Sequence, residues 1–275
     1  MSMQLTTSVQ GNAVFASAAI NVIPPFRIAF QPIVDDAINK VCAYEALVRG
    51  TGGESFPSLV AGLSPHQLMA FDHLARVRAI EQAAKLGLAD MGAKLSLNLL
   101  SPTDGTTYSA ADMVQTAESV GFPVNRLVIE LNEDTHFKQQ TLAQILAEHR
   151  RFGILTAIDD FGAGHSGLNL LALSRPDIVK IDMVLIHNIE DDFVKQSIVQ
   201  AFAKVCDAIG IAVIAEGVET ANELEMLRHL GVRLVQGYHF AQPAIDHLWV
   251  TGIPNASLCT HTESLFLMSP TPCLA

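Results

Sequence analysis

Short apolar runs in this 275-residue chain end, again and again, on a residue that could hold a cation or move a proton. Lys94–Leu97 leads into Asn98, and Leu127–Ile129 into Glu130 with Glu133 close behind. Leu155–Ile158 leads into Asp159 and Asp160, and Ile178-Val179 into Lys180 and then Asp182. Ala212–Ala215 leads into Glu216 and then Glu219, and Arg233–Val235 into Gln236. Taken singly, a carboxylate after a strand is ordinarily a helix N-cap, and an asparagine or a Gln-Gly step a turn. A lone lysine is ordinarily solvated or salt-bridged. Repetition points elsewhere, because several carboxylates converging on one mouth repel one another unless something cationic sits between them. Oxygen ligands of this kind suit hard divalent cations such as Mg²⁺ or Mn²⁺. The adjacent pair Asp159-Asp160 adds a hint of two ions. One carboxylate can bridge both while the other holds the second, as phosphoester hydrolysis by two metals about 3.5–4 Å apart requires. Lys180 among these acids is placed to orient a nucleophilic water or to offset charge growing on a phosphate.

The elements that must carry these residues alternate. Strands are expected over Arg27–Val34, Lys40–Arg49, Lys94–Leu99, Leu127–Leu131, Leu155–Asp159, Ile178–Ile181, Ala212–Ala215 and Arg233–Val235. Helical spacing fills Gln67–Leu86, Ala110–Val120, Thr141–Arg151, Asp192–Ala208 and Ala221–Leu230, with Gly87, Gly121, Gly153, Gly210 and Gly231 following them where left-handed caps belong. Alternation implies parallel pairing through right-handed crossovers, and the number of strands favours a barrel over an open sheet. The first two strands are joined only by a short turn at Asp35-Asp36, which implies an antiparallel hairpin within that barrel. All the charged strand ends then face one another on one rim. Residues 1–25 are expected to be an N-terminal extension, 26–253 the domain, and 254–275 a C-terminal tail.

Composition narrows the partners. Lys+Arg 17 against Asp+Glu 28 gives a formal net charge of -11, so there is no basic surface for a DNA or RNA polymer. Cys42, Cys206, Cys259 and Cys273 are scattered, which fits reduced thiols in a cytoplasmic protein better than a disulfide framework or a zinc site. No apolar run reaches the roughly 18–20 residues needed to insert into a membrane. The mildly apolar Ala13–Ile23 lacks the basic residues that open a signal peptide. The residues before Arg27 are too few to fold a sensory domain, so an input signal is expected from an upstream sensory partner on another chain, from expression level, or from regions outside this sequence.

The motifs in order resemble a known family. Glu45-Ala46-Leu47 lies inside YEALVRG, which ends its Glu-x-Leu-x-Arg form at Arg49 and follows Gln31-Pro32-Ile33. SLNLLSP with Asn98, ELNE at Glu130–Glu133, DDFGAGHSGL at Asp159–Leu168, VKID at Val179–Asp182, AEGVET at Ala215–Thr220 and QGYHFAQP at Gln236–Pro243 follow. Over about Arg27 to Ile245 the chain is similar to the EAL-domain cyclic di-GMP phosphodiesterases. The resemblance implies a TIM-like (β/α)₈ barrel with one antiparallel strand near the N-terminus. It also implies hydrolysis of cyclic di-GMP to linear pGpG with two Mg²⁺ or Mn²⁺ ions, and a homodimer. By motif correspondence Glu45, Asn98, Glu130 and Asp159 are expected metal ligands, and Asp160 is expected to serve the second metal. Lys180 resembles the lysine that holds the attacking water, and Glu216 a carboxylate tied to metal-bound water and a candidate general base. Gln31, Leu47, Arg49, Asp182 and Gln236 are expected substrate contacts; an arginine suits phosphate because its planar fork binds two oxygens at once. Glu133 and Glu219 are expected to support, the former by anchoring the loop Phe161–Leu168.

The chain departs from the usual DDFGTGYSSL at Ala163, His165 and Gly167, and from the usual Thr at Asn132. None of these changes removes a charge or a metal ligand. His165 is either an inert loop residue or a group that makes loop order depend on pH near neutrality. Some relatives have lost catalysis and act as cyclic di-GMP receptors or protein scaffolds, usually after losing a metal ligand or the EAL glutamate. Here every position assigned a metal, catalytic or substrate role keeps the expected residue, so catalysis is the primary expectation.

Overall fold

The computed structural model describes residues 23–100, 109–133, 139–164 and 167–249. The expected tail, His165 and almost all of the expected N-terminal extension lie outside them. Strands β1 (Phe26–Asp35) and β2 (Lys40–Gly50) open the domain as an antiparallel hairpin. Helices α1 (Phe56–Val60), α2 (Pro65–Lys85) and α3 (Leu88–Met91) lead to β3 (Lys94–Leu99). After it come α4 (Ala110–Ser119), β4 (Leu127–Asn132), α5 (Gln139–Phe152), β5 (Leu155–Phe161), α6 (Gly167–Ser174) and β6 (Ile178–Ile181). The chain closes with α7 (Met183–Ile186), α8 (Phe193–Ala208), β7 (Ala212–Ala215), α9 (Ala221–Leu230), β8 (Leu234–Val235) and β9 (Ala244–Ile245).

β2 to β8 pair in parallel in chain order, and β1 closes the ring by pairing antiparallel with both β2 and β8. The result is a TIM-like barrel with one inverted strand. The two-residue β9 runs antiparallel along Ala29-Phe30 of β1, a pairing that its short sequence does not announce. Two apolar layers hold the ring. Ile33, Ala43, Val128, Ala157, Ile178, Ala212, Ile214 and Leu234 come only from strands and fill the interior. The larger cluster joins outward strand residues such as Tyr44, Leu95 and Leu97 to Phe71, Ala75 and Ala79 of α2 and to Met113 of α4. These strands are buried on both faces, so they read as continuous apolar runs, and their ends are the first places where polar groups are tolerated.

Local signals set the helices. Ser64 and Gln67 form a capping box that starts α2, and Thr220 and Glu223 form another that starts α9. The glycines expected to end helices all have positive φ, as left-handed caps require. Among the described residues Cys42 and Cys206 are free thiols, and no helix is long and apolar enough to cross a membrane.

One buried titratable group lies away from the rim. His149 on α5 is fully buried, with Nδ1 2.8 Å from Thr156 Oγ1 on β5. Burial, and secondarily Arg150, pushes its imidazole down to about 4 from an ordinary 6.5. The unfolded chain binds this proton more readily, so the stabilisation is complete above about pH 6.5 and is lost as pH falls toward about 4. It amounts to on the order of 3 kcal/mol. In urea titrations across that range, His149→Gln should show a flatter dependence than the parent. Parallel curves would exclude His149 as the source.

Candidate active site at the C-terminal rim

Residues from strands far apart in sequence meet around one ammonium group. Lys180 Nζ, fully buried at the end of β6, lies 2.7 Å from Glu216 Oε1, 2.9 Å from Asp159 Oδ1, 3.0 Å from Glu130 Oε1 and 3.3 Å from Glu45 Oε2. Glu45 is in turn the acceptor for Asn98 Nδ2 at 3.1 Å and Gln236 Nε2 at 2.7 Å, and Gln236 Nε2 also approaches Gln31 Oε1 at 3.2 Å. The structure therefore brings together Gln31, Glu45, Asn98, Glu130, Asp159, Lys180, Glu216 and Gln236. If all four carboxylates are ionised, one lysine leaves three negative charges uncompensated.

The titration behaviour reflects that excess. Burial, reinforced by Glu45 and Asp159 and opposed by Lys180, pushes the Glu130 carboxyl up to about 8. Glu216 is raised well above the usual carboxylate range by burial, again against the pull of Lys180. Burial alone would lower Lys180, yet the surrounding carboxylates raise it well above its ordinary value, so it stays an ammonium.

A backbone irregularity places the aspartate pair. The β5–β6 register shifts between Ile158 and Phe161, and Asp160 between them has φ 56. In a regular strand consecutive side chains point to opposite faces, and a bulge re-aims one of them. Aspartate is among the few residues that adopt this left-handed conformation routinely. Oxygen atoms of Asp159, Asp160 and Glu216 consequently lie within 4.8 Å of one another. Burial, with Asp159 and Asp182 adding to it, raises Asp160 to about 6. The Asn132 amide donates to Asp160 Oδ2 from the end of β4. Glu133 does not join the cluster. Its Oε2 accepts from the backbone N–H groups of Gly162, at 2.8 Å, and Gly164, at 3.3 Å, in the loop after β5.

The donor set fits a divalent cation. Glu130 Oε2 and Asp159 Oδ1 are buried without a hydrogen bond, although the latter is ion-paired with Lys180 Nζ at 2.9 Å. Buried carboxylate oxygens without a hydrogen bond, in and beside the group Asp159, Asp160 and Glu216, are what an oxygen-seeking metal would use.

Beside the cluster lies a cavity of about 250 Å³ lined by Gln31, Glu45, Leu47, Asp160, Asp182, Glu216, Glu219, Gln236 and Tyr238 among others. A second, of about 260 Å³, shares Glu45 and Leu47 with it and is lined also by Arg49, Asn98, Asp72 and Arg76. Arg49 lines this second cavity beside Glu45 and Asn98; its Nη1 donates to Val48 O at 2.8 Å. Gly237 lets two rim loops touch, because a Cβ there would meet Val218 O at 2.0 Å.

Sequence reasoning missed some of the supporting groups. Ser96, two residues before Asn98 on β3, donates from Oγ to Glu130 Oε1 at 2.6 Å; strand alternation from Asn98 could have found it. Glu223 accepts from the backbone N–H groups of Glu219, Thr220 and Asn188, so it shapes the loop after Glu216. Its position three residues after Thr220 is a capping-box signal. The buried Asp72–Arg76 pair carried no signal beyond its helical spacing.

A closed barrel with acids and one lysine on its C-terminal rim defines a class of protein in which strand ends carry the chemistry. The EAL domain model matches residues 24–243, and the chain belongs to the EAL domain family. It is 31% identical over 83% of its length to the blue light- and temperature-regulated antirepressor BluF of Escherichia coli K12, covering 56% of that protein. It is 29% identical over 79% of its length to the probable cyclic di-GMP phosphodiesterase PdeN of the same organism, covering 43% of it. The chain therefore spans about half the length of these curated relatives. Among solved structures, the manganese/cy-diGMP complex of Klebsiella pneumoniae BlrP1 aligns with a TM-score of 0.76 at 33% identity, over 81% of this chain and 57% of that one.

Proposed function

We propose that this chain is a phosphodiesterase that hydrolyses cyclic di-GMP to linear pGpG with two divalent cations, Mg²⁺ or Mn²⁺. The observation that carries this reading is the buried Lys180 ammonium among four carboxylates, two of which keep oxygens without a hydrogen bond. The names of PdeN and of the BlrP1 complex support the same substrate and the use of a divalent metal.

Glu45, Asn98, Glu130 and Asp159 would hold metal, with Asp160 serving the second ion. When bound, such ions supply Lewis acidity and lower the pKa of a coordinated water. Lys180 would orient the attacking water and offset charge growing on the phosphoryl oxygens. Glu216, 2.7 Å from Lys180 Nζ, would take the water's proton when ionised. Water adds to one phosphorus, the P–O3′ bond breaks, and O3′ takes a proton from solvent as it leaves, so the product keeps a 5′-phosphate. Gln31, Leu47, Arg49, Asp182 and Gln236 would contact substrate. Glu133 and Glu219 would hold the loops that flank it.

The same reading includes a homodimer. Val194, Ile198, Val205 and Ile209 recur along α8 and the turn after it with 47–65% exposure. An unpaired apolar stripe of this kind marks an interaction surface.

The test is turnover of cyclic di-GMP with Mg²⁺ or Mn²⁺ and with EDTA. Metal-dependent pGpG formation that Glu45→Ala abolishes is the expected result. Tight binding without turnover would favour a receptor or scaffold, the reading to which the antirepressor name of BluF lends weight. Asn132→Ala, which frees Asp160, should raise the Mn²⁺ concentration for half-maximal rate by about 10–100-fold. An unchanged metal dependence would remove Asn132 from that role.

A further inference from the structure

On β1 and β2 the residues Arg27, Ala29 and Gln31 stand directly opposite Arg49, Leu47 and Glu45. Directly opposed residues of an antiparallel pair share a face and lie close together. The hydrogen-bonded Gln31–Gln236–Glu45 network occupies one end of this face. Four residues outward, about 14 Å along the strands, two arginines face each other. Like charges in that position repel. No acidic side chain among the described residues pairs with either arginine, and Arg27 is exposed. Arg49 already lines a cavity that shares Glu45 and Leu47 with the cavity at the lysine cluster.

A cationic pair kept without a protein counter-charge, on the face that leads into an acidic metal site, suits an anion that reaches both places. Cyclic di-GMP carries two phosphates, and only one of them can be at the reacting centre at a time. We infer that Arg27 joins Arg49 in a second anion subsite that takes the non-scissile phosphate of the dinucleotide. Arg27 thereby sets preference for ring substrates with two phosphodiester groups over simple diesters. This inference rests on the phosphodiesterase reading above. Two guanidinium forks can each bind a pair of phosphate oxygens, and their mutual repulsion falls once the anion is seated.

The experiment compares the full chain with its Arg27→Ala and Arg27→Lys variants. Binding of cyclic di-GMP is measured by calorimetry in EDTA, and turnover with Mn²⁺ on cyclic di-GMP and on bis(p-nitrophenyl) phosphate, which has one phosphate. Arg27→Ala should weaken cyclic di-GMP binding and raise its KM by about tenfold, with kcat within about twofold. Its rate on bis(p-nitrophenyl) phosphate should not move and its Tm should not fall, its affinity should depend less steeply on salt, and Arg27→Lys should recover most of the loss. Parent-like binding by Arg27→Ala overturns the inference, as does an equal loss on the one-phosphate substrate. Absence of cyclic di-GMP binding by the parent chain would overturn the functional reading as well, which separates the two failures.

Discussion

Lys180→Met is expected to lower kcat for cyclic di-GMP by roughly 100- to 1000-fold while KM changes little. Methionine keeps much of the apolar stem and removes the ammonium that touches Glu45, Glu130, Asp159 and Glu216. That charge matters most when negative charge grows on the phosphoryl group, so the loss falls on the chemical step. An equal fall in affinity and rate would instead make Lys180 a substrate-holding group. The metal-free protein offers an independent readout. Removing the central cation leaves buried carboxylates without a partner, a loss of about 3–5 kcal/mol. In a chain of this size that lowers Tm by roughly 6–20 °C. The drop should be smaller at pH 5.5 than at pH 8, because Glu130, raised to about 8, can take up a proton. Mn²⁺ should restore part of it. A Tm equal to the parent at both pH values would show that the lysine is not the counter-charge.

Glu130→Gln should separate stability from function in the opposite way. In the metal-free protein burial keeps this carboxyl protonated through neutrality, and a glutamine resembles that neutral form. The folded state binds the proton more tightly than the unfolded chain. The stabilisation is therefore present below the unfolded value near 4.5 and is lost as pH rises through about 8. The parent should lose stability across that window in EDTA, and Glu130→Gln should lose less. With metal the order reverses. A cation must displace the proton, so the parent should release protons on binding Mn²⁺, whereas the variant offers no carboxylate there. Calorimetry in buffers of different ionisation enthalpy should show that release for the parent and less for the variant. Turnover by Glu130→Gln should fall at least about 100-fold. Parent-like Mn²⁺ affinity in the variant would remove Glu130 from the proposed ligand set.

Much of this architecture was legible in the chain. The strand ends at Asn98, Glu130, Lys180 and Glu216 were readable because barrel strands buried on both faces tolerate polar groups only where they stop. The hairpin of β1 and β2 was readable from its short turn. Other features were not. The two-residue β9 has too little sequence to show a period, and α6 follows β5 without a clear apolar spacing. The reading of β5 stopped at Asp159, yet pairing resumes at Phe161 beyond the irregularity.

By itself the sequence determined which side chains reach the rim, because alternation and run length are local properties of each strand. It also determined the order of elements, since capping boxes and helix-ending glycines act over a few residues. Only the tertiary structure decided that four carboxylates from separate strand ends would share one lysine. It also decided that Asp160 would turn beside Asp159, and that Arg27 would face Arg49. Those outcomes depend on the register between strands up to about the whole barrel apart, which is fixed by ring closure and by the interior layer from Ile33 to Leu234.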